Sequence, residues 1–478
     1  MKTKVCEYEY DIDVKNLQED GILIPYDQFE ADTVEILKCL MMDAAACFVV
    51  GLRCIPEEEL NRLKAHVEEE PNNYRPVWPV GTKAGLEMAG FLNSYLLRYP
   101  DLSDTLRMVH AKLDAGGHPS DLMATIFTMC DEPGVDGKRI MECINVGYQM
   151  WSLLQNGMLT DRNLDCSTAL AFVTPVITAL CKNNSPERIQ NALNLSVAGG
   201  IMLGRVRSTD DMTNLKSAAA GYATAKGFWS YRLSDVIEAP ATMFTGDRGS
   251  WFKVVSPIDR PFKGVDQNEL YQMIELKSFP CFNVGQAPVE CGIGIHNQLN
   301  GDLSHIKKIT LRKSAVEARM PFRPDRPKYP TDHPTADHHI EYCVNTAMMY
   351  GALTPAHFED EHIFDPAVRR LIDMTELKVF TEEELAEVVG GNTGGCSLTV
   401  ELDDGTVLTE VREHSTGNVI GIGSSERVKI MRGIVERKWN MVKECYGYDL
   451  SPVGEVMKDF ESRPAGDFID ALRKVIAE

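Results

Sequence analysis

The sequence predicts a mainly α-helical protein with an α+β insertion, and three observations support this fold class. The first half is rich in Ala, Leu and Met with few β-branched runs, which favours packed helices over strands. A polar, proline-containing connector at residues 257–267 ends this pattern, and short strand-like segments follow it. Helical periodicity then returns at residues 424–442. We therefore expect a helical domain at residues 1–268 that is completed by residues 415–478, with an α+β domain inserted at residues 269–414.

The helices are predicted from apolar spacing and from signals for a helix start. Pro186 suits a first helical turn, where its missing N–H group is not needed. In the last helix, Val428, Met431, Ile434 and Val435 are spaced to form one apolar stripe. The predicted helices span residues 35–52, 86–97, 140–155, 167–182, 186–203, 217–229 and 424–442.

The inserted domain contains the clearest β signal. Apolar residues alternate from residue 398 to residue 402, and Asp404-Gly405 forms a turn that returns the chain through a second alternating segment to residue 411. Residues 306–311 alternate in the same way. The sequence therefore predicts a hairpin and at least one further strand in this domain.

Length and composition limit the class of protein. A chain of 478 residues is too long for one compact core, so at least two large bodies are expected. No apolar run reaches the roughly 18 residues that a membrane span needs. The first residues lack the apolar core of a secretion signal, and they are acidic where a mitochondrial signal would be rich in Arg. We expect a cytoplasmic protein.

Net charge and cysteine content exclude several partners and cofactors. The formal net charge is -21, which disfavours nucleic acid and anionic membranes, because both need a basic surface. An anionic substrate would need a locally basic pocket. The 13 cysteines contain no C-x-x-C pair, which argues against a zinc site, an iron-sulfur cluster or a disulfide framework. We predict no metal and no cofactor.

Residues 98–121 are the first candidate site, because they concentrate carboxylates, hydroxyls and a histidine in a loop that contains Gly and Pro. Asp101 and Asp104 could equally cap a helix, since Asp favours that position. Residues 116–119, Gly-Gly-His-Pro, could be a simple turn. His118 nevertheless suits a general acid or base, because its ordinary pKa is close to neutral.

Three later segments are weaker candidates. Arg205, Arg207 and Lys216 place three cations close together in sequence, although most lysines are exposed and do nothing specific. Residues 276–286 form an aromatic turn that leads into a helix, and an interdomain hinge would explain this segment equally well. In residues 336–342, two side chains four residues apart, His338 and Tyr342, would share a helix face, whereas an isolated histidine pair is a weak metal signal.

Together these segments resemble the MmgE/PrpD family, which includes 2-methylcitrate dehydratases, cis-aconitate decarboxylases and a few isomerases. The resemblance runs from about residue 34 to residue 423, and residues 98–105, Arg-Tyr-Pro-Asp-Leu-Ser-Asp-Thr, are similar to the D-F-x-D-T signature of the family. An apolar helix around Asp43, the block at 246–253 and the segments from 277 and 337 fall in the family's order. The resemblance implies a helical bundle, an inserted α+β lid, an active site between them and a homodimer formed through the helical domain.

The resemblance also implies which side chains line the site. The implied catalytic residues are Asp101, His118, Lys216, Lys277 and Tyr342, and the further candidates for substrate binding are Asp104, Thr105, Asp165, Arg207, Gln286 and His338. His118 and Asp101 are assigned to the proton transfers, with Lys216 and Lys277 holding substrate carboxylates. Tyr342 would donate a hydrogen bond. Which group is the acid and which the base stays open.

Two departures from the family pattern bear on the reaction. Asp165 stands near the place where decarboxylases carry a second histidine, and residues 283–286 keep only the Gln of a common His-Ser-Gln motif. The Gly-His-Pro-Ser-Asp loop around His118 looks like the dehydratase version. We therefore expect metal-free dehydration of a 2-hydroxy tricarboxylate such as 2-methylcitrate or citrate. A decarboxylase or isomerase on the same scaffold, and a catalytically silent binding protein, are the alternatives.

Overall fold

The buried apolar side chains of the protein form two separate hydrophobic cores. One core gathers residues between 12 and 276 and again between 428 and 475, and the other lies between residues 281 and 400. The protein is mainly α-helical with an α+β insertion, which confirms the predicted fold class. The computed structural model describes residues 12–68, 75–77, 82–107, 116–155, 164–207, 212–246, 248–256, 261–319, 322 and 326–477.

Some predicted segments lie partly outside the described residues. These are the acidic start of the chain, residues 108–115 of the candidate segment 98–121, residues 208–211 between Arg207 and Lys216, Asp247 in the block at 246–253, and residues 257–260 of the connector. The domain limits at residues 268 and 414 stay a prediction.

The helical domain is built mostly from helices that carry apolar side chains around much of their surface. Its helices before the insertion are α1 (Ala31–Cys54), α2 (Glu57–Glu68), α3 (Leu86–Arg98), α4 (Met123–Cys130), α5 (Gly137–Leu154), α6 (Thr168–Cys181), α7 (Pro186–Val197), α8 (Leu215–Leu233), α9 (Trp251–Val254) and α10 (Gln267–Gln272). Its short strands are β1 (Arg75–Val77), β2 (Thr82–Ala84), β3 (Thr105–Leu106) and β4 (Ile274–Glu275). The six helices predicted in this part are confirmed, with one error in length.

Helix α7 ends at Val197, six residues before the predicted end at 203. Two glycines, Gly199 and Gly200, follow it, and glycine favours a helix end because it disfavours the helix interior. Leu203 instead forms an isolated β-bridge with Leu164. The start of α7 is as predicted, with Pro186 in the first turn.

The inserted domain packs helices against a four-stranded sheet with the strand order β6-β5-β7-β8. Strand β5 is parallel to β6 and antiparallel to β7, and β7 and β8 form the predicted hairpin. Gly405 has a φ of 87°, a conformation that glycine adopts without strain in this turn. The elements are β5 (Ile306–Lys313), β6 (Thr375–Val379), β7 (Cys396–Leu402), β8 (Val407–Arg412), α11 (Gln286–Leu299), α12 (Ala315–Ala318), α13 (His333–Ala336), α14 (Ile340–Tyr350), α15 (Asp360–Ile363), α16 (Pro366–Met374) and α17 (Glu382–Val389).

The end of the chain returns to the helical domain as α18 (Ser424–Tyr446), α19 (Ser451–Met457) and α20 (Gly466–Ala477). The apolar stripe predicted for α18 is buried. Lys438 of this helix forms a buried ion pair with Asp43 of α1 and donates a hydrogen bond of 2.7 Å to the Leu102 carbonyl oxygen. The C-terminal helices therefore hold the loop that follows α3.

Strands β3 and β4 lie where the two domains meet, and they pair with each other in antiparallel fashion. Arg107 follows β3 and binds Glu275 of β4 at 2.5 Å and Glu317 of the inserted domain at 2.8 Å. All three side chains are buried. This ion pair network fixes the loop after α3 against the inserted domain.

No helix in the described part of the chain is long and apolar enough to cross a lipid bilayer. The cytoplasmic location stays a prediction.

Candidate active site

Asp101 lies three residues after the end of α3, and its carboxylate is the centre of a buried cluster. The backbone has a φ of 46°, which is uncommon for a residue other than glycine. The Oδ1 atom accepts hydrogen bonds from Arg98 Nη1 at 2.5 Å and from Lys277 Nζ at 2.7 Å. Lys277 also donates to the Asp101 carbonyl oxygen at 2.9 Å. Two cations therefore hold both the side chain and the backbone of Asp101.

These cations determine the protonation state of Asp101. Burial alone would raise the pKa of its carboxyl, but the charges of Arg98 and Lys277 hold that pKa well below its usual range. Burial lowers the pKa of Lys277, and the charge of Asp101 opposes that change. Asp101 is ionised at neutral pH and has no proton to donate.

His118 lies beside this carboxylate in a defined tautomer. Its Nδ1 atom is 2.6 Å from the Asp104 carbonyl oxygen, and because a carbonyl can only accept, Nδ1 carries the hydrogen. The Nε2 atom lies 3.8 Å from Asp101 Oδ1. Burial and the charges of Arg98 and Lys277 lower the pKa of His118 well below its usual value. His118 is therefore a neutral imidazole whose Nε2 lone pair can accept a proton.

The loop before His118 requires glycine at one position. Gly117 has a φ of 80°, and a side-chain carbon there would lie 2.3 Å from Cys166 Cβ. The Thr105 hydroxyl donates to the Gly117 carbonyl oxygen at 3.2 Å. Thr105 thus supports the loop that presents His118.

Asp104 holds the same loop from the other side. Its Oδ1 accepts from the Ser120 N–H at 2.9 Å, and its Oδ2 accepts from the Tyr148 hydroxyl at 2.6 Å. Burial raises the pKa of Asp104 to about 6, against the effect of the Ser120 and Tyr148 hydrogen bonds. Ser120 belongs to the short 3-10 helix at residues 119–122, whose N-cap is His118, so Asp104 binds this helix across the loop and is not its N-cap.

A second buried cluster joins α8 to the inserted domain. Lys216 forms an ion pair with Asp337, and its Nζ lies 3.5 Å from His338 Nδ1. His338 Nδ1 is 2.5 Å from Asp337 Oδ1 and 3.5 Å from Asp101 Oδ2. Burial and the charge of Lys216 lower the pKa of His338. The two clusters are therefore continuous, and residues from both domains meet at Asp101.

The prediction that His338 and Tyr342 share a helix face is wrong. Helix α14 begins at Ile340, and His339 is its N-cap, with a side chain that accepts from the Tyr342 N–H. His338 precedes the helix and points to Asp101, whereas the Tyr342 hydroxyl donates to the His357 carbonyl oxygen. The structure does not bring Tyr342 to the cluster.

Three other predicted residues, Gln286, Arg207 and Asp165, make contacts that support the surrounding loops. The Gln286 side chain accepts from the Ser278 N–H at 2.9 Å and donates to the Phe279 carbonyl oxygen at 3.0 Å, so it shapes the turn after Lys277. Arg207 and Asp165 form an ion pair of 2.5 Å. Burial would raise the pKa of Asp165, but the charge of Arg207 lowers it.

Sequence reasoning left three residues of the cluster without a role: Arg98, Asp121 and Asp337. Arg98 and Asp121 are the two ends of the segment that the sequence selected, and Asp337 directly precedes His338. An acidic residue next to a candidate histidine was a usable signal. The contacts of Arg98 and Asp121 had no such local signal, because they depend on how the loop folds back onto α3.

Asp101, Asp337 and His338 each offer one atom within 4.8 Å of the others, a spacing that could hold a metal ion. Both carboxylates are already paired with cations, however: Asp101 with Arg98 and Lys277, and Asp337 with Lys216. A divalent cation would have to enter a site with three positive side chains, which repel it. These ion pairs compete with a metal ion for the same carboxylate oxygens.

Two family models match the chain. The MmgE/PrpD N-terminal domain matches residues 23–261, and the MmgE/PrpD C-terminal domain matches residues 279–421.

Several proteins named 2-methylcitrate dehydratase are similar to the chain along most of their length. A 2-methylcitrate dehydratase of Escherichia coli (strain K12) is 24% identical over 432 residues, which covers 82% of this chain and 83% of that protein. A 2-methylcitrate dehydratase of Salmonella typhi is 23% identical over 427 residues, with the same coverage. A 2-methylcitrate dehydratase of Cupriavidus necator is 25% identical over 359 residues, or 69% of this chain and 71% of that protein.

Proposed function

The chain belongs to the MmgE/PrpD family, and from this membership we propose that it is a hydro-lyase that dehydrates a 2-hydroxy tricarboxylate, such as 2-methylcitrate or citrate, to the cis-aconitate-type alkene. An enzyme of the dehydratase kind agrees with the relatives, which carry the name 2-methylcitrate dehydratase. The observation that carries the proposal is the neutral His118, whose Nε2 atom is free to accept a proton beside a group of buried cations.

The charge of the site suits a polyanionic substrate. The whole chain has a formal net charge of -21, yet Arg98, Lys216 and Lys277 are all buried around Asp101 and Asp337. These three cations would bind the carboxylates of a tricarboxylate. They are the basic groups that an anionic substrate requires in an acidic protein.

The proposed reaction begins with removal of a proton from a carbon atom next to a carboxylate. His118 Nε2 is the base, because its imidazole is neutral and its tautomer is fixed by the Asp104 carbonyl oxygen. Lys216 and Lys277 stabilise the negative charge that develops on the carboxylate. Asp101 is ionised, so it orients these groups and keeps His118 in place, and it does not act as the acid.

A decarboxylase on the same scaffold is the second candidate, and the structure gives one observation against it. Asp165, which stands where decarboxylases of the family carry a histidine, is ion-paired with Arg207 and has a lowered pKa. It is therefore a poor donor of a proton. A silent binding protein would have no need for a desolvated neutral histidine among buried cations.

Turnover of pure tricarboxylates tests the proposal. We expect 2-methylcitrate or citrate to give an alkene, detected by ultraviolet absorbance, with no carbon dioxide released and with full activity after chelation. His118→Ala should lower turnover about a hundredfold or more, because general bases contribute on that scale. His305→Ala is the matched control, since His305 is exposed and pairs with the exposed Asp403. Unchanged turnover in His118→Ala would contradict the assignment of the base.

We also propose a homodimer formed through the helical domain. Leu215, Tyr222 and Trp229 are spaced seven residues apart on α8 and are 43%, 55% and 48% exposed. A stripe of large apolar side chains on one helix face is typical of a surface that another protein covers. Helix α8 also packs against α3 and α6 within the helical domain.

A further inference from the structure

Arg98 presents an edge of its guanidinium group that is ready to bind a carboxylate. The side chain is 1% exposed, and its Nη1 atom binds Asp101. Its Nε and Nη2 atoms have no hydrogen-bond partner among the described residues. These two N–H groups lie parallel on one edge of the planar group, which is the arrangement that binds a carboxylate through both oxygens.

Asp121 lies at this free edge without closing it. Its carboxylate is fully buried, and neither oxygen has a hydrogen-bond partner in the described part of the chain. Oδ2 is 3.8 Å from Arg98 Nε, which is close enough for charge attraction but too far for a hydrogen bond. Buried polar groups in native proteins are nearly always satisfied, so a set of unsatisfied groups indicates a place for a polar ligand.

Three further polar atoms share this property. The Ser103 and Ser120 hydroxyls and the Nη1 atom of Arg207 are also buried without a hydrogen-bond partner among the described residues. A direct ion pair between Arg98 and Asp121 would satisfy those two side chains but would leave the two hydroxyls and Arg207 Nη1 without a partner. A ligand that carries both carboxylate and hydroxyl oxygens would offer an acceptor to Arg98 and a hydroxyl partner to Asp121.

We propose that Arg98 and Asp121 form the subsite for the hydroxyl-bearing carbon of the substrate: Arg98 binds the carboxylate on that carbon through Nε and Nη2, and Asp121 binds the hydroxyl and protonates it as it leaves. This inference rests on the proposed dehydratase function. It assigns the acid of the reaction, a role that Asp101 cannot fill because it is ionised.

In the proposed elimination, His118 is the base and Asp121 is the acid. His118 Nε2 takes the proton from the neighbouring carbon, and the electron pair of that C–H bond forms the new double bond. The C–O bond breaks with its pair on oxygen, and the Asp121 proton joins that oxygen to give water. Asp121 ends as a carboxylate beside Arg98, and His118 ends as an imidazolium beside Asp101. Both return to their starting states by proton exchange with water.

The surroundings of Asp121 permit a protonated carboxyl near neutral pH. Burial raises its pKa to about 7; the charges of Arg98 and Arg207 lower it, and those of Asp104 and Asp165 raise it. The ordinary pKa of 3.8 would leave almost no acid form at neutral pH. The environment therefore supports the geometric assignment.

A substrate whose leaving group needs no proton distinguishes an acid role of Asp121 from a structural role. We would measure Asp121→Asn on 2-methylcitrate and on its analogue with fluorine in place of the hydroxyl. We expect a loss of about a hundredfold or more on the hydroxyl substrate, because a general acid contributes on this scale. Release of fluoride should stay within about threefold of the wild-type rate, since no acid is required for it.

Two further variants complete the experiment. Asp43→Asn is the matched control, because Asp43 is also a buried, ion-paired carboxyl but lies away from Asp121, and it should alter both substrates by the same factor. Arg98→Lys keeps the charge beside Asp101 but loses the second N–H edge, so KM should rise about tenfold to a hundredfold for both substrates.

The outcomes are distinct. Equal losses on both substrates in Asp121→Asn, or full activity on the hydroxyl substrate, would overturn the acid assignment. An unchanged KM in Arg98→Lys would overturn the carboxylate subsite. If the wild-type protein leaves 2-methylcitrate and citrate unchanged, the proposed function itself fails. Calorimetric binding of 2-methylcitrate to wild type and to Arg98→Lys would then test the subsite alone, and no binding or equal affinities would overturn it.

Discussion

Lys216 of the helical domain and Asp337 of the inserted domain form a buried ion pair, with 1% and 0% of their side chains exposed. Asp337 in turn binds His338, which reaches Asp101. The site is therefore assembled only when the two domains are docked. Any change at Lys216 affects both the docking of the domains and the charge available to a substrate.

Lys216→Ala should lower turnover about a hundredfold or more and destabilise the protein by about 3–5 kcal/mol, because it leaves a buried carboxylate without its partner. Adding Asp337→Asn should restore most of the stability, since the unpaired charge is gone. It should not restore turnover. Denaturant unfolding and alkene formation measure the two effects. A double variant with near-normal turnover would show that Lys216 acts only through Asp337.

Stability should depend on pH through His118. Its pKa is lowered well below 6.5 in the folded protein, so the unfolded chain binds more protons as the pH falls below that value. The fold therefore loses stability on acidification, by up to about 2 kcal/mol from this residue between about pH 6.5 and about pH 5. Asp104 and Asp121, whose pKa values are raised, act in the opposite direction.

The contribution of His118 can be isolated with His118→Asn, which cannot titrate. Urea unfolding at about pH 7 and about pH 5 should show a smaller loss of stability in the variant than in the wild-type protein. The same loss in both proteins would mean that His118 is not held neutral. Turnover in the wild type should persist below the usual range of histidine, because the base stays unprotonated there.

Lys438 should act as a positioning residue, although it lies beyond residues 279–421, the C-terminal family match. It holds the Leu102 carbonyl oxygen next to Asp101. Lys438→Met should destabilise the protein by about 3–5 kcal/mol, because Asp43 loses its buried partner. The double variant that combines Lys438→Met with Asp43→Asn should recover stability. Its kcat should stay roughly tenfold lower than that of the wild type, since the loop after α3 loses one buried hydrogen bond. Full recovery of kcat would limit Lys438 to a structural role.

The apolar stripe on α8 predicts the assembly state. Tyr222→Lys with Trp229→Lys should convert a dimer to a monomer, because two charges would be placed inside an apolar interface. Light scattering after size-exclusion chromatography gives the mass directly. Val407→Lys, on an exposed strand of the inserted domain, is the control and should remain dimeric. A wild-type protein that is monomeric at high concentration would contradict the proposed dimer.

Most of the fold could be predicted because helices and hairpins depend on neighbours in sequence. The apolar stripe of α18 and the Asp404-Gly405 turn are local patterns, and both are confirmed. The prediction that His338 and Tyr342 share a helix face is wrong for an equally local reason. His339 caps α14, so the helix starts two residues after His338. A spacing of four residues indicates one face only inside a helix.

The amino-acid sequence was sufficient to predict the mainly helical class with its α+β insertion, and the family resemblance indicated His118, Asp101, Lys216 and Lys277. The way in which these groups are used depends on the tertiary structure. Lys277 reaches Asp101 across 176 residues and Lys216 reaches Asp337 across 121 residues. Such contacts depend on how two domains pack, and no periodicity in the chain records them. The ionised state of Asp101, the neutral state of His118 and the free edge of Arg98 all follow from that packing, because burial and nearby charges set them.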